Sequence, residues 1–189
     1  MANNPLVGAW ELVSDSRVGV RIYTGSHYAV LGAPKDRKRS AGDQATPDEA
    51  LEALNSCPAL AGTYTLSGSR ITQVRESNTR PELSKLSAVF DYTIDGDTMT
   101  QTVVSGTGGA AASGSSLTFR RAGSSGVGSP LVGAWELVND TRQGVAVFTG
   151  THYAIVVMQK DRNLPSGEQY TPEEALEAIS TCGTFAGTY

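Results

Sequence analysis

The first 121 residues alternate short apolar stretches with polar turns. The stretches are rich in β-branched and aromatic residues and are bounded by Gly, Ser, Asn and Asp, which is typical of an all-β sandwich or barrel. Asp95-Gly96 joins two of the stretches and indicates a tight hairpin, because both residues tolerate positive φ. Eight strands are predicted, near residues 6–14, 18–24, 26–32, 61–67, 69–76, 86–94, 97–105 and 116–121.

Alternation in the sixth predicted strand identifies its inner face, because neighbouring strand residues point to opposite sides. The seventh strand carries Thr at alternate positions, which suits either a cavity lining or a simple packed core, since Thr forms strands readily. The pattern leaves both alternatives open. The residues on the inner side of the sixth strand are Ala88, Phe90, Tyr92 and Ile94.

One short helix interrupts the predicted strands. Thr46 can cap free backbone N–H groups, Pro47 suits the first helical position, and Glu49 completes a capping box. The helix must end by Pro58, because proline cannot continue it. The same devices recur at residues 171–174, so a second helix is expected there.

The hydrophobic pattern starts again after residue 129. Residues 130–189 align without a gap on residues 5–64, and 35 of the 60 aligned pairs are identical, which indicates a second copy of the same unit. We therefore predict a complete domain at 1–121, a Gly/Ser linker at 122–129, and a truncated copy after it.

The second copy carries three predicted strands and a helix, but it lacks the strands that would close a barrel. We expect residues 6–64 to pair with residues 61–121. Residues 130–189 are then expected to be poorly ordered or to self-associate with another chain through unpaired apolar edges. A permuted barrel built from 61–121 and 130–189 is the alternative.

Composition narrows the classes of partner. The net charge is −4, and residues 1–121 carry twelve charges of each sign, so no basic stripe predicts binding to nucleic acid. Cys57 and Cys182 are aligned, which leaves neither with a disulfide partner in its own unit. The start has no signal-peptide pattern, and no apolar run reaches membrane-spanning length. We expect a cytoplasmic protein with no membrane partner.

Several motifs in residues 6–121 resemble the bacterial lipocalin-like domain family of the calycin superfamily. The resemblance implies a closed eight-stranded antiparallel barrel with an internal pocket, followed by a partial second barrel. Gln73 departs from the pattern, because family members often carry a histidine there, and glutamine cannot supply an ionisable group. The motifs, in family order, are the L-x-G-x-W opening at 6–10, then 23–29, the basic turn 35–37, 61–65 and 94–100.

Candidate pocket residues come from several predicted strands. Trp10 is expected to close the barrel floor, as the first-strand tryptophan does in lipocalins, with stacking on a ligand as the alternative. Only one of the neighbours His27 and Tyr28 can point inward. The candidate ligand-binding residues are Trp10, Tyr23, His27, Tyr28, Tyr64, Gln73, Arg75, Phe90, Tyr92 and Gln101.

The sequence lacks zinc-type Cys/His spacing, a Gly-rich loop that opens a helix, and a serine elbow. We therefore expect no metal and no cofactor. The first hypothesis is that the barrel binds a small, largely apolar molecule. The alternative is a cofactor-free cyclase or isomerase acting on such a molecule in the same pocket. A third interpretation is a barrel filled by Phe90, Tyr92 and Leu117 that binds nothing.

Overall fold

A computed structural model describes residues 4–38, 40, 42–106, 112–122 and 130–189. Eight antiparallel strands pair in chain order, and β1 also pairs with β8, which closes a barrel. The predicted all-β fold with an eight-stranded barrel is confirmed. The strands are β1 (Gly8–Leu12), β2 (Arg17–Tyr23), β3 (His27–Pro34), β4 (Ala59–Ser67), β5 (Arg70–Asn78), β6 (Ser87–Asp95), β7 (Thr98–Gly106) and β8 (Ser116–Arg121).

Helix α1 (Pro47–Ser56) lies between β3 and β4. Its capping box is present: the Glu49 N–H donates to Thr46 Oγ1 at 3.3 Å, and the Thr46 N–H donates to Glu49 Oε2 at 2.8 Å. The predicted helix start is therefore confirmed. A short 3₁₀ helix at Pro81–Leu83 has no counterpart among the predicted elements.

The barrel wall bends at β4, where the pairing register with β5 shifts between Ala61 and Gly62. A Cβ atom on Gly62 would lie 2.0 Å from the carbonyl oxygen of Val74. Only glycine permits this close approach of two backbones. The bend lets β4 follow the barrel curvature with Tyr64 still pointing inward.

Residues 130–189 form a second, four-stranded antiparallel sheet and one helix, with strand order β12-β11-β10-β9. The expectation that this segment is poorly ordered is wrong. The predicted Gly/Ser linker lies outside the described residues at 123–129. The elements are β9 (Gly133–Glu136), β10 (Arg142–Phe148), β11 (His152–Gln159), α2 (Pro172–Ser180) and β12 (Cys182–Thr188).

The second sheet is ordered because its outer face packs against the outer wall of the barrel. Ile22 and Ala29 of the barrel share one buried cluster with Val147 and Ala154, the residues aligned with them. The helices also meet, in a cluster that includes Ala50 and its aligned residue Ala175. Equivalent surfaces of the two segments therefore cover each other, as in a two-fold interface.

Arg162 supplies polar contacts across the same interface. Its Nη1 donates to the carbonyl oxygen of Asn78 at 2.6 Å, and its Nη2 donates to the carbonyl oxygen of Ala178 at 2.7 Å. One guanidinium thus joins the end of β5 to α2.

No helix among the described residues is long and apolar enough to span a bilayer.

Candidate functional site

Trp10 closes one end of the barrel. Its indole Nε1 donates to the carbonyl oxygen of Leu6 at 2.7 Å, and the Arg121 guanidinium lies 4.0 Å from the ring centroid. Trp10 and Leu6 are both fully buried. Trp10 therefore anchors the segment before β1 across the barrel end, as expected for a floor residue, and its ring has no free face for a ligand.

Tyr64 has a structural role beside this floor. Its hydroxyl donates to the carbonyl oxygen of Thr24 at 2.5 Å and accepts from Asn4 Nδ2 at 2.7 Å. Burial raises the pKa of Tyr64 to about 12, so the phenol stays neutral at physiological pH. Tyr92 is half-buried, and its hydroxyl reaches the carbonyl oxygen of Gly68 at 3.4 Å. The structure thus places both tyrosines inward, and their hydroxyls already make hydrogen bonds within the protein.

A chain of polar side chains crosses the barrel above the floor. The Tyr23 hydroxyl accepts from Gln73 Nε2 and from Gln101 Nε2, each at 2.9 Å. Gln101 Oε1 in turn accepts from Arg21 Nη1. These residues come from β5, β7 and β2, and all are buried. The structure joins three predicted site residues, Tyr23, Gln73 and Gln101, to a fourth residue, Arg21, that the sequence pattern does not predict.

Arg21 is that unpredicted residue. It is 7% exposed, and its guanidinium carbon lies 5.2 Å from the Phe90 ring centroid and 4.9 Å from that of Phe119. None of the ion pairs among the described residues involves Arg21. A signal existed in the sequence, because Arg21 stands two residues before Tyr23 and so shares its face.

Tyr28 and Arg75 extend the polar lining. Tyr28 is fully buried, and its hydroxyl has no hydrogen-bond partner among the described residues. Burial raises the pKa of Tyr28 well above its usual range, so the hydroxyl keeps its proton and can donate it to an acceptor. Arg75 lies on the same face of β5 as Gln73, and burial lowers its pKa. The interior is therefore rich in donors.

His27 lies on the outer wall, so the prediction that it lines the pocket is wrong. Alternation along β3 turns Tyr28 inward and His27 toward the second sheet, where its Nε2 lies 3.5 Å from Glu136 Oε1. The aligned pair repeats this contact, with His152 Nε2 4.0 Å from Glu11 Oε1. The two histidines belong to the interface between the segments.

His27 also belongs to the one set of side chains, within the described ranges, that could hold a metal ion. Its ring nitrogen and carboxylate oxygens of Glu76 and Glu136 lie within 4.8 Å of one another. No sequence pattern indicates this set, because its members come from β3, β5 and β9. They are far apart in the chain and meet only through the packing of the second sheet.

The inward-facing residues of the described barrel strands include no histidine, aspartate or glutamate. The interior can donate hydrogen bonds, but it offers no carboxylate or imidazole as a general base.

A groove of about 700 Å³ lies outside the barrel, where apolar side chains such as Val20 and Leu31 meet the basic residues Arg17 and Lys35.

Comparisons of the chain with protein-family models, with curated proteins and with solved structures found no match. The geometry of the barrel interior is therefore the basis for any statement about function.

Proposed function

We propose that the β1–β8 barrel binds a small, largely apolar molecule that carries one anionic group. The observation that supports this is the Arg21 guanidinium, which is buried between two phenyl rings without a carboxylate partner among the described residues. Arg21 has a neutral hydrogen-bond acceptor in Gln101 but no counter-charge, and burying an ion without one costs several kcal/mol. A ligand anion that reached Arg21 would supply the missing counter-charge, which is a reason for the barrel to retain an arginine there.

The surroundings of Arg21 suit an amphipathic ligand. Phe90 contacts the guanidinium, and the inward-facing Val30, Leu60 and Leu117 are half-buried, so their side chains offer apolar surface that a ligand could cover. The Tyr28 hydroxyl provides a second donor, for which no described residue competes as an acceptor. Small-molecule sites usually have an apolar lining that contains a few polar groups. The resemblance to lipocalin-like domains agrees with this proposal.

Catalysis by a cofactor-free cyclase or isomerase is the second candidate. Arg21 and Tyr28 could stabilise a developing oxyanion, because both donate into a site that excludes water. The absence of an inward-facing histidine or carboxylate among the described strands leaves no group to move a proton from carbon. Binding is therefore the function that the interior supports better.

Matched pairs of ligands test the proposal. Decanoate and dodecanoate are titrated against their methyl esters by isothermal calorimetry, with the wild type, Arg21→Gln and the exposed-residue control Arg120→Gln. A charge-assisted hydrogen bond contributes roughly 1.5–3 kcal/mol, so the acids are expected to bind about 10 to 100 times more tightly than the esters. Arg21→Gln should remove this preference, and Arg120→Gln should keep it.

Two outcomes contradict the proposal. The first is that neither acid nor ester binds the wild type. The second is an acid preference that survives Arg21→Gln, because the anion would then be recognised elsewhere, for example by the basic residues of the outer groove.

A further inference from the structure

The inner face of the β9–β12 sheet is apolar, and no element of the described part of the chain covers it. Trp135 is 52% exposed although its aligned residue Trp10 is fully buried, and Tyr189 is 52% exposed although its aligned residue Tyr64 is 6% exposed. Phe185, in the strand aligned with β4, is 59% exposed. Large aromatic side chains grouped on one face at this exposure mark an interaction surface.

The aromatic packing of this face copies the barrel interior. Phe148, Tyr153 and Tyr189 have ring-centroid distances of 5.9–6.5 Å. In the barrel, the aligned Tyr23 lies 6.3 Å from Tyr28 and 5.2 Å from Tyr64. The β9–β12 sheet therefore forms one half of a barrel core, and no other described strand covers it. The outer face already packs against β1–β8, so the inner face is the one that the described residues leave open to a partner.

The β1–β8 barrel shows what such a face requires. There, β1–β4 are covered by four further antiparallel strands, with one edge strand paired to β4 and the other to β1. An occupant of the β9–β12 face must supply the same: four antiparallel strands with two free edges. Among the described strands, β5–β8 are already paired on both sides, and only the β9–β12 sheet has free edges.

Strand direction permits two β9–β12 sheets to close on each other. A rotation of 180° about a barrel axis keeps the direction of every strand, so β12 of one copy would lie antiparallel to β9 of the other. The β12 strand of each copy then pairs with the β9 strand of the other, so the two contacts are equivalent and no edge strand stays unpaired. The arrangement is therefore closed and isologous. Four strands from each copy give the eight that the first barrel has.

The charges on this face also permit self-pairing. The barrel interior carries Arg21, but the aligned residue of the second sheet is Ala146. Two copies therefore bring no like charges together at the centre of the joint core, and the contact is apolar on both sides. We propose that two copies of this chain associate through their β9–β12 sheets to form a shared, symmetric eight-stranded barrel.

The test uses the 189-residue chain and its two tryptophans. Light scattering after size exclusion should give twice the mass of one chain at micromolar concentration. Dilution should shift the tryptophan emission to the red, because Trp135 becomes exposed while Trp10 stays buried. Hydrogen exchange should show edge-strand amides of β9 and β12 protected in the dimer and exposed after dilution.

Variants locate the contact. Trp135→Glu and Phe185→Glu, on different strands of the face, should each give a monomer, whereas Val18→Glu, at a 51% exposed residue of the barrel, should remain dimeric. Protection of β10 amides reports that each variant keeps its second sheet. A wild-type monomer at 100 µM, a dimer that persists in both variants, or an open series of higher masses would overturn the proposal.

Discussion

The inward-facing tyrosines Tyr64 and Tyr28 differ in whether the hydroxyl has a hydrogen-bond partner. The Tyr64 hydroxyl makes two hydrogen bonds that hold the barrel floor, whereas the Tyr28 hydroxyl makes none among the described residues. A buried hydroxyl without a partner destabilises a fold, and such a group is retained when a ligand uses it.

Removing each hydroxyl should therefore have opposite effects. Tyr28→Phe is expected to raise the free energy of unfolding by about 1 kcal/mol, and Tyr64→Phe to lower it by about 1–2 kcal/mol. Urea unfolding of the ligand-free protein measures both. Binding of decanoate should weaken in Tyr28→Phe despite the gain in stability. A loss of stability in Tyr28→Phe would show that its hydroxyl has a structural partner.

At the scale of single elements, the bend in β4 depends on one glycine. Gly62→Ala forces a Cβ atom against the backbone of β5, while Gly25→Ala meets nothing within 4 Å. Because of this strain, Gly62→Ala is expected to lower the free energy of unfolding by about 3 kcal/mol or more. Urea unfolding of the two variants checks this, and equal midpoints would show that β4 can bend differently.

Helix α2 depends on the ionised form of Glu174. Its carboxylate accepts from the Thr171 N–H at 2.9 Å and the Ser166 N–H at 2.8 Å, and these bonds lower its pKa from 4.5 to about 2. Because the folded pKa is depressed, the stabilisation is present above pH 4.5 and is lost as the pH falls toward 2.

The matching variant is Glu174→Gln. Hydrogen exchange of α2 amides should show stronger protection in the wild type than in the variant at pH 5, with the difference disappearing near pH 2. A difference that stays constant across this window would mean that the carboxylate charge does not hold the cap.

Sequence patterns predicted the elements well because local chemistry determines them: Thr46 and Pro47 start a helix, and Asp95-Gly96 turns a hairpin. The site was predicted less well. Tyr23, Gln73 and Gln101 are candidate site residues that do lie together inside the barrel, but the pattern does not indicate Arg21, since a lone arginine in a strand usually faces solvent. His27 was misplaced, because its partner Glu136 lies in a segment whose packing no local pattern encodes.

At the scale of the whole molecule, one apolar interface holds the second sheet on the barrel. Ala154 is fully buried against the barrel wall, so Ala154→Glu places an unpaired charge there and should release the segment. Limited proteolysis should then digest residues 130–189 at least tenfold faster and leave the β1–β8 barrel intact. Val138→Glu, at a 97% exposed residue, is the control. Unchanged resistance of Ala154→Glu would contradict the described packing.

Binding of an anionic, largely apolar ligand at Arg21 in the barrel interior is the proposed function of this protein. Native mass spectrometry of the protein purified without denaturation from its own host tests it most directly. We predict an adduct of one small acidic molecule per barrel in the wild type, and its loss in Arg21→Gln but not in Arg120→Gln. No adduct in the wild type, or the same adduct in Arg21→Gln, would contradict the claim.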